Sequence, residues 1–424
     1  MKYVSAKVQS QIKNQQSKIL QMPQKLQVDR WLFSATVGLA LFGVVMVYSA
    51  SAVIAQQEGY SQFHYVIKQA VWTMIGFAAM FGTMRFDHQR LNRRWIVYGS
   101  LFLTIALLCA VFDFSPVNGA RRWIKFGGFS VQPSEMAKLS LALFLAYFLE
   151  KRAGEEHLFW KTFLPCMIVL GVLAGLVVKE PDLGTALMLA ITCLTICFAA
   201  GVRPRHMAYA SVPALLFLGK MLIFTPFRWR RLASFIDPWA DQQGAGYQVV
   251  QSLIAVGSGG THGLGFAQGR QKLLFLPFAH SDFIFAVISE ELGLVGALIV
   301  VFVFAVFLWR GTRAALRAPE RFGMLLGFGV VVGIIAQALL NISVVLALVP
   351  TKGIPLPFIS YGGSSLVPTL AAVGILLNIS QYAPLKSRAR EEDDYEEGWQ
   401  GANRAAQRRE RRQRAQVVAR PRYG

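Results

Sequence analysis

Residues 283–308 read FIFAVISEELGLVGALIVVFVFAVFL, 26 positions in which Ser289, Glu290 and Glu291 are the only polar side chains. Coiled into an α-helix such a run is about 39 Å long, more than the roughly 30 Å of hydrocarbon in a bilayer. Lipid offers the backbone no water, so a run this long without period-two alternation satisfies its amide groups as a helix. Working outward, similar runs occur at 31–53, 65–84, 95–112, 133–149, 163–178, 183–202, 207–224, 322–349 and 364–379. The expected fold is an all-α integral membrane protein of about ten transmembrane helices. Residues 225–281 form its one large extracytoplasmic loop, between helices 7 and 8.

Composition points the same way. Of 424 residues, 54% are apolar and 16% charged, with mean hydropathy +0.44, outside the usual range for soluble domains. Lys and Arg accumulate in cytoplasmic loops. With the N-terminus inside, the inner segments carry 30 of them and the outer segments 10, and an even number of spans returns the C-terminus to the cytoplasm. Three parts follow: a polar cytoplasmic segment over 1–30, a membrane domain over 31–382, and a basic tail over 383–424. The first 30 residues are too long before the apolar run to be a signal peptide's charged region, so no cleavage is expected. The tail joins an acidic block (391–397) to an Arg-rich one (404–414), a composition expected to stay disordered. The net charge of +20 is concentrated beside the membrane and reads as topology and anionic-lipid contact, not as nucleic-acid binding. Cys109, Cys166, Cys193 and Cys197 all fall inside spans and imply neither a disulfide framework nor a metal site.

Function is sought where polarity violates the membrane rules, because ionisable groups at membrane depth are costly. Five places do so. The outer segment 117–125 holds Asn118 and the adjacent guanidinium groups of Arg121 and Arg122, which suit diphosphate oxygens; Glu135 and Lys138 follow at i,i+3, as an internal pair or a functional one. Lys179, Glu180 and Asp182 crowd a Pro-containing turn at a membrane boundary, which favours cavity lining over a solvated turn. The loop 225–281 holds Arg228, Arg230 and Arg231, then Tyr247 and Gln248, a short amphipathic or re-entrant helix over 248–256, and a glycine run without Walker spacing. His280 and Asp282 close that loop; Asp282 is either a helix N-cap or a general base with a raised pKa. Glu290 and Glu291 lie two turns deeper and must face protein or water. Finally, Asn341-Ile342-Ser343 leads into an irregular Pro/Gly-rich connection that holds Lys352, Ser360 and Ser364 and is suited to lining a cavity.

The runs PFISYGGSS (357–365), DFIFAV (282–287) and NGARRW (118–123), in this order, resemble the SEDS family, named for shape, elongation, division and sporulation. The resemblance spans residues 29–382, and PTKG (350–353) with MVYSAS (46–51) is closer to its division branch than to its elongation branch. It implies a peptidoglycan glycosyltransferase that polymerises lipid II at the outer face of the bacterial inner membrane during septal cell-wall synthesis. Asp282 would be the base that activates the acceptor hydroxyl. Arg121, Arg122, Lys179, Arg231, Lys352, Ser360 and Ser364 would hold the diphosphate and sugars. Asn118, Glu135, Lys138, Glu180, Asp182, Tyr247, Gln248, His280 and Glu290 would support them. A divalent cation, Mg or Mn, is a possible helper, its ligands unassigned, and no organic cofactor is expected. The implied partners are lipid II, a class B penicillin-binding transpeptidase and other division membrane proteins. One departure is Phe278, where the family commonly has Glu, so any auxiliary carboxylate shifts to Glu180 and Asp182. The competing reading is a flippase or transporter for a lipid-linked precursor, favoured by Lys138, Glu290 and Glu291; an elongation polymerase is the alternative within the family, and a non-catalytic scaffold leaves the outer polar segments without purpose.

Overall fold

The computed structural model describes residues 27–116, 120–126, 129–244 and 246–382, so the readings made for 1–26, 383–424 and Asn118 lie outside the described residues. Gln27–Gln381 forms one body. Its helices are α1 (Arg30–Gln57), α2 (His64–Arg85), α3 (Arg94–Ala110), α4 (Pro133–Lys151), α5 (Leu164–Lys179), α6 (Leu183–Ala199), α7 (Pro204–Ile223), α8 (Pro226–Ile236), α9 (Tyr247–Ser258), α10 (Ile284–Leu316), α11 (Arg321–Val345) and α12 (Gly363–Ser380). Local chemistry sets several starts. The Asp29 carboxylate accepts from the Leu32 amide to cap α1, Asp182 caps α6 through Thr185, and proline opens α4, α7 and α8, where no amide is needed.

All ten stretches read as spans are helical. Seven of these helices are long and apolar enough to cross a membrane: α1, α2, α3, α5 with its preceding π turn, α10, α11 and α12. The others fall short for visible reasons. α6 has only 17 residues, α4 carries Glu135, Lys138, Glu150 and Lys151, and α7 carries Arg205, His206 and Lys220 with Pro213 inside it. The all-α expectation holds, with one short antiparallel hairpin of β1 (Ile124–Phe126) and β2 (Phe129–Val131) ahead of α4. The run expected to stay helical to 349 stops at Val345, and Ala347 takes a left-handed φ of 53°.

Two apolar cores share α11 and α12. One joins α1, α2, α9 and α10; the other joins α3, α4, α5 and α6. α2 and α12 touch backbone to backbone: a Cβ on Gly374 would lie 2.3 Å from the Met80 carbonyl oxygen. Small residues allow such approach in membranes, where dispersion contact replaces the hydrophobic drive. α10 breaks at Gly293, whose φ of 67° admits the loop after α9; a Cβ there would meet the Gly263 amide nitrogen at 2.3 Å.

Glu290 and Glu291 face that loop. Glu290 Oε1 accepts from the Arg270 and Gln271 amides at 2.7 and 3.2 Å; Glu291 accepts from the Ala267 amide, from Ser49 and, at 2.6 Å, from Lys272 Nζ. The pair thus staples the loop after α9 to α1 and α10.

Candidate active site

Asp282 stands in the turn just ahead of α10. It does not cap that helix, because Phe283 holds the N-cap position without a side-chain bond. The backbone around it is fixed at three consecutive carbonyls. His280 O accepts from the Tyr361 amide at 3.0 Å, Ser281 O from Ser360 Oγ at 2.5 Å, and Asp282 O from Asn341 Nδ2 at 2.7 Å. Ser360 Oγ also accepts from the Leu356 amide, while Gln69 on α2 donates to Ser360 O and accepts from the Gly362 amide. Ser360, expected to touch substrate, is therefore occupied in joining the two segments.

The Asp282 carboxylate lies against Gly353, where a Cβ would come within 2.7 Å of Oδ2, so only glycine leaves it room. Among the described residues no hydrogen bond reaches its side-chain oxygens. Its charged neighbours are Arg122, Asp182 and Arg231. Burial pushes the acid up to about 6; Arg122 draws it down, Asp182 pushes it up and Arg231 draws it down. Burial and Arg122 in turn lower Arg231 from its usual value, while Asp282 raises it. His280 packs its ring between Tyr65 and Tyr361, with centroids 5.2 and 5.5 Å away, and burial lowers it to about 4, so it is neutral at pH 7.

Arg122 comes from the strand-like segment before β1 and is locked in place. Its Nε donates to Glu180 O at 3.0 Å and its Nη2 to Pro181 O at 2.6 Å. Asp182 is largely spent on its cap, accepting from Thr185 N and Oγ1 at 3.1 and 2.8 Å. Glu180 is fully buried with both carboxyl oxygens unpartnered among the described residues. Burial first, then Asp182, raises it to about 8, and Arg122 opposes them; it is a neutral acid at pH 7.

The remaining expected residues divide. Lys352 immediately precedes Gly353, the residue that meets the Asp282 carboxylate. Arg121 and Lys179 meet at Phe112 instead: Arg121 donates to its carbonyl at 2.7 Å, and Lys179 Nζ lies 4.9 Å from its ring centroid. Glu135 pairs with Lys138 at 2.7 Å and accepts from Ser365 Oγ at 2.8 Å, while Ser364 Oγ is buried without a partner among the described residues. Tyr247 and Gln248 form the first turn of α9, and Glu290 belongs to the loop staple, not to this cluster. Asn341 stands out in sequence as a polar residue ahead of the Pro/Gly-rich connection, with no role assigned to it, and Gln337 does not stand out. Their joint signal is two amides at i,i+4 on an otherwise apolar span. No three His, Cys, Asp or Glu side chains converge as a metal site among the described residues.

The arrangement offers a carboxylate that is basic at neutral pH, held on a rigid backbone with the fixed guanidinium of Arg122 and the charge of Arg231 nearby. That suits proton abstraction from a hydroxyl beside a bound anion. Fold and site together define a multi-pass helical membrane protein with a carboxylate-centred site at the entrance to one span.

The FTSW_RODA_SPOVE family of cell cycle proteins matches residues 30–384, and the chain belongs to it. It is 43% identical over 357 residues to a probable peptidoglycan glycosyltransferase FtsW of Geobacter metallireducens, covering 83% of this chain and 94% of that one. It is 39% identical over 364 residues to the stage V sporulation protein E of Bacillus subtilis, covering 85% and 98%. A solved structure, described as structural coordination of polymerization and crosslinking by a peptidoglycan synthase complex, superposes with a TM-score of 0.69 at 30% identity, covering 84% of this chain and 98% of that one.

Proposed function

We propose that this chain is a peptidoglycan glycosyltransferase that polymerises lipid II at the outer face of the cytoplasmic membrane. In this reading the 4-hydroxyl of an incoming lipid II sugar loses its proton to Asp282. Its oxygen then attacks the anomeric carbon of the growing glycan with inversion, and undecaprenyl diphosphate leaves. Arg122 and Arg231, with Lys352 on the adjoining loop, offset the charge of the diphosphate. The observation that carries the reading is the Asp282 carboxylate itself, free of hydrogen bonds from described residues while three consecutive carbonyls around it are held. The names of the relatives support the same class of reaction.

Ten spans, both termini cytoplasmic, a septal role shared with the division branch, and crosslinking by a docked class B transpeptidase complete the proposal. A divalent cation, Mg or Mn, fits only as a companion of the substrate. Mg²⁺ usually binds one or two carboxylates together with phosphate oxygens, so the substrate's diphosphate would supply most of its ligands. The cavity beside Lys138 measures about 50 Å³, room for a few waters.

The test is labelled lipid II with a divalent cation, given to the chain in complex with its transpeptidase, native against Asp282→Ala at matched folding. Glycan from the native complex alone supports both the reaction and the base. Equal polymer from both removes Asp282 from the chemistry, and none from either returns the transporter.

A further inference from the structure

Two amides on α11 reach across to the loop that carries Lys352. Asn341, 1% exposed, gives both protons of its Nδ2 to backbone carbonyls, Asp282 O and Ile354 O, each at 2.7 Å. One planar group thereby sets the distance between the segment that bears the candidate base and the segment that bears the candidate cation. Its own Oδ1 is buried and unpartnered among the described residues. An orphaned acceptor opposes folding, so the two donated bonds are what the side chain contributes.

Gln337 lies one turn earlier on the same face of α11. Its Nε2 donates to Pro355 O at 2.9 Å, so consecutive carbonyls of the 350–362 loop are taken by consecutive turns of one helix. Its Oε1 accepts from Lys138 Nζ at 2.6 Å, and Lys138 is paired with Glu135, which accepts from Ser365 at the start of α12. A continuous polar thread thus runs from the intramembrane ion pair, through Gln337, to the loop whose Gly353 touches the Asp282 carboxylate.

We propose, resting on the polymerase reading above, that Asn341 and Gln337 are positioning residues: Asn341 holds the Asp282 and Lys352 segments in register, and Gln337 anchors that loop to the Glu135–Lys138 pair. Neither side chain takes part in the chemistry. Displacing a reacting group by about 1 Å costs on the order of 10²-fold in rate, and loss of either anchor acts through such a displacement.

The test uses the complex of the full chain with its transpeptidase partner, labelled lipid II as probe, and the variants Asn341→Ala, Gln337→Met and Gln337→Glu. Gln337→Met removes both bonds, whereas Gln337→Glu keeps an acceptor for Lys138 and loses the donor to Pro355 O. For Asn341→Ala the expected result is kcat lowered about 10- to 100-fold, KM within about threefold, and a displaced acid limb of the pH–rate profile. The limb is the readout that a merely structural role would not move. Gln337→Glu is expected to lower kcat as Gln337→Met does, because the bond to the loop is the one that counts. Rates within twofold of native for both Asn341→Ala and Gln337→Met, or losses that only track the folded fraction with the acid limb unmoved, overturn the inference. If Asn341→Ala does not fold, the two Gln337 variants decide it. A native complex that makes no polymer sinks the polymerase reading itself, whereas an active native complex with indifferent variants sinks only the positioning role.

Discussion

Asp282 and the Glu290–Glu291 pair lie within ten residues of one another, yet their surroundings are opposites. The two glutamates are saturated: Glu290 takes two backbone amides, and Glu291 takes an amide, a hydroxyl and the Lys272 ammonium. Asp282 has its backbone held and its carboxylate left without a hydrogen bond from any described residue. A buried charge that is fully bonded fastens structure, while one kept open and electrostatically poised is available for chemistry. The same stretch contains both because the Gly293 break turns the glutamates into a loop receptor, whereas Gly353 leaves space in front of Asp282.

The contrast can be broken in order of expected effect. Asp282→Asn keeps the shape and removes the base; polymerisation of lipid II is expected to fall about 10²- to 10⁴-fold, with thermal stability in detergent at or above that of the native chain. Lys272→Met should do the reverse in kind, stranding Glu291 in a buried site. A loss of about 3–5 kcal/mol is expected from removing one partner of a buried pair, read as a fall in melting temperature, and unchanged melting would refute the staple. Gly353→Ala puts a Cβ 2.7 Å from Asp282 Oδ2, so kcat should drop by roughly 10²-fold while the fold survives.

Glu180 gives the smallest and most pH-dependent effect. Its acid is raised to about 8 in the folded chain, above the usual glutamate value, so the folded state binds the extra proton. Stability from this group is therefore greatest below the unfolded pKa and declines as pH rises towards 8. Glu180→Gln, already neutral, should flatten that decline and stabilise the chain by on the order of 2 kcal/mol near pH 8. Parallel melting curves of the two proteins between pH 5 and pH 8, about 1.4 kcal/mol being the worth of one pKa unit, would contradict it.

The membrane helices were legible because a twenty-residue apolar run is a coarse signal that tertiary contacts do not erase. α8 is not legible in sequence, where Arg228, Arg230 and Arg231 fall within the long loop 225–281; the structure shows them on an 11-residue helix. The staple was not legible either, since it joins Ser49 to Lys272 and Glu291 across hundreds of residues with no local pattern. At the candidate site, the residue types were visible in sequence while their division of labour was not. Ser360 and Asp182 are absorbed by backbone and capping bonds, and Arg121 and Lys179 gather at Phe112. Charge and spacing reveal that a cation is present but not which partner already holds it.

The most direct test of the central claim is the pH dependence of kcat/KM for lipid II polymerisation by the native complex. With Asp282 acting as base from a pKa of about 6, the rate should rise with pH through that value and level off above it. In Asp282→Asn the residual rate should show no such limb. A native profile flat between pH 5 and pH 7, or a limb near 6 that persists in Asp282→Asn, would contradict the assignment.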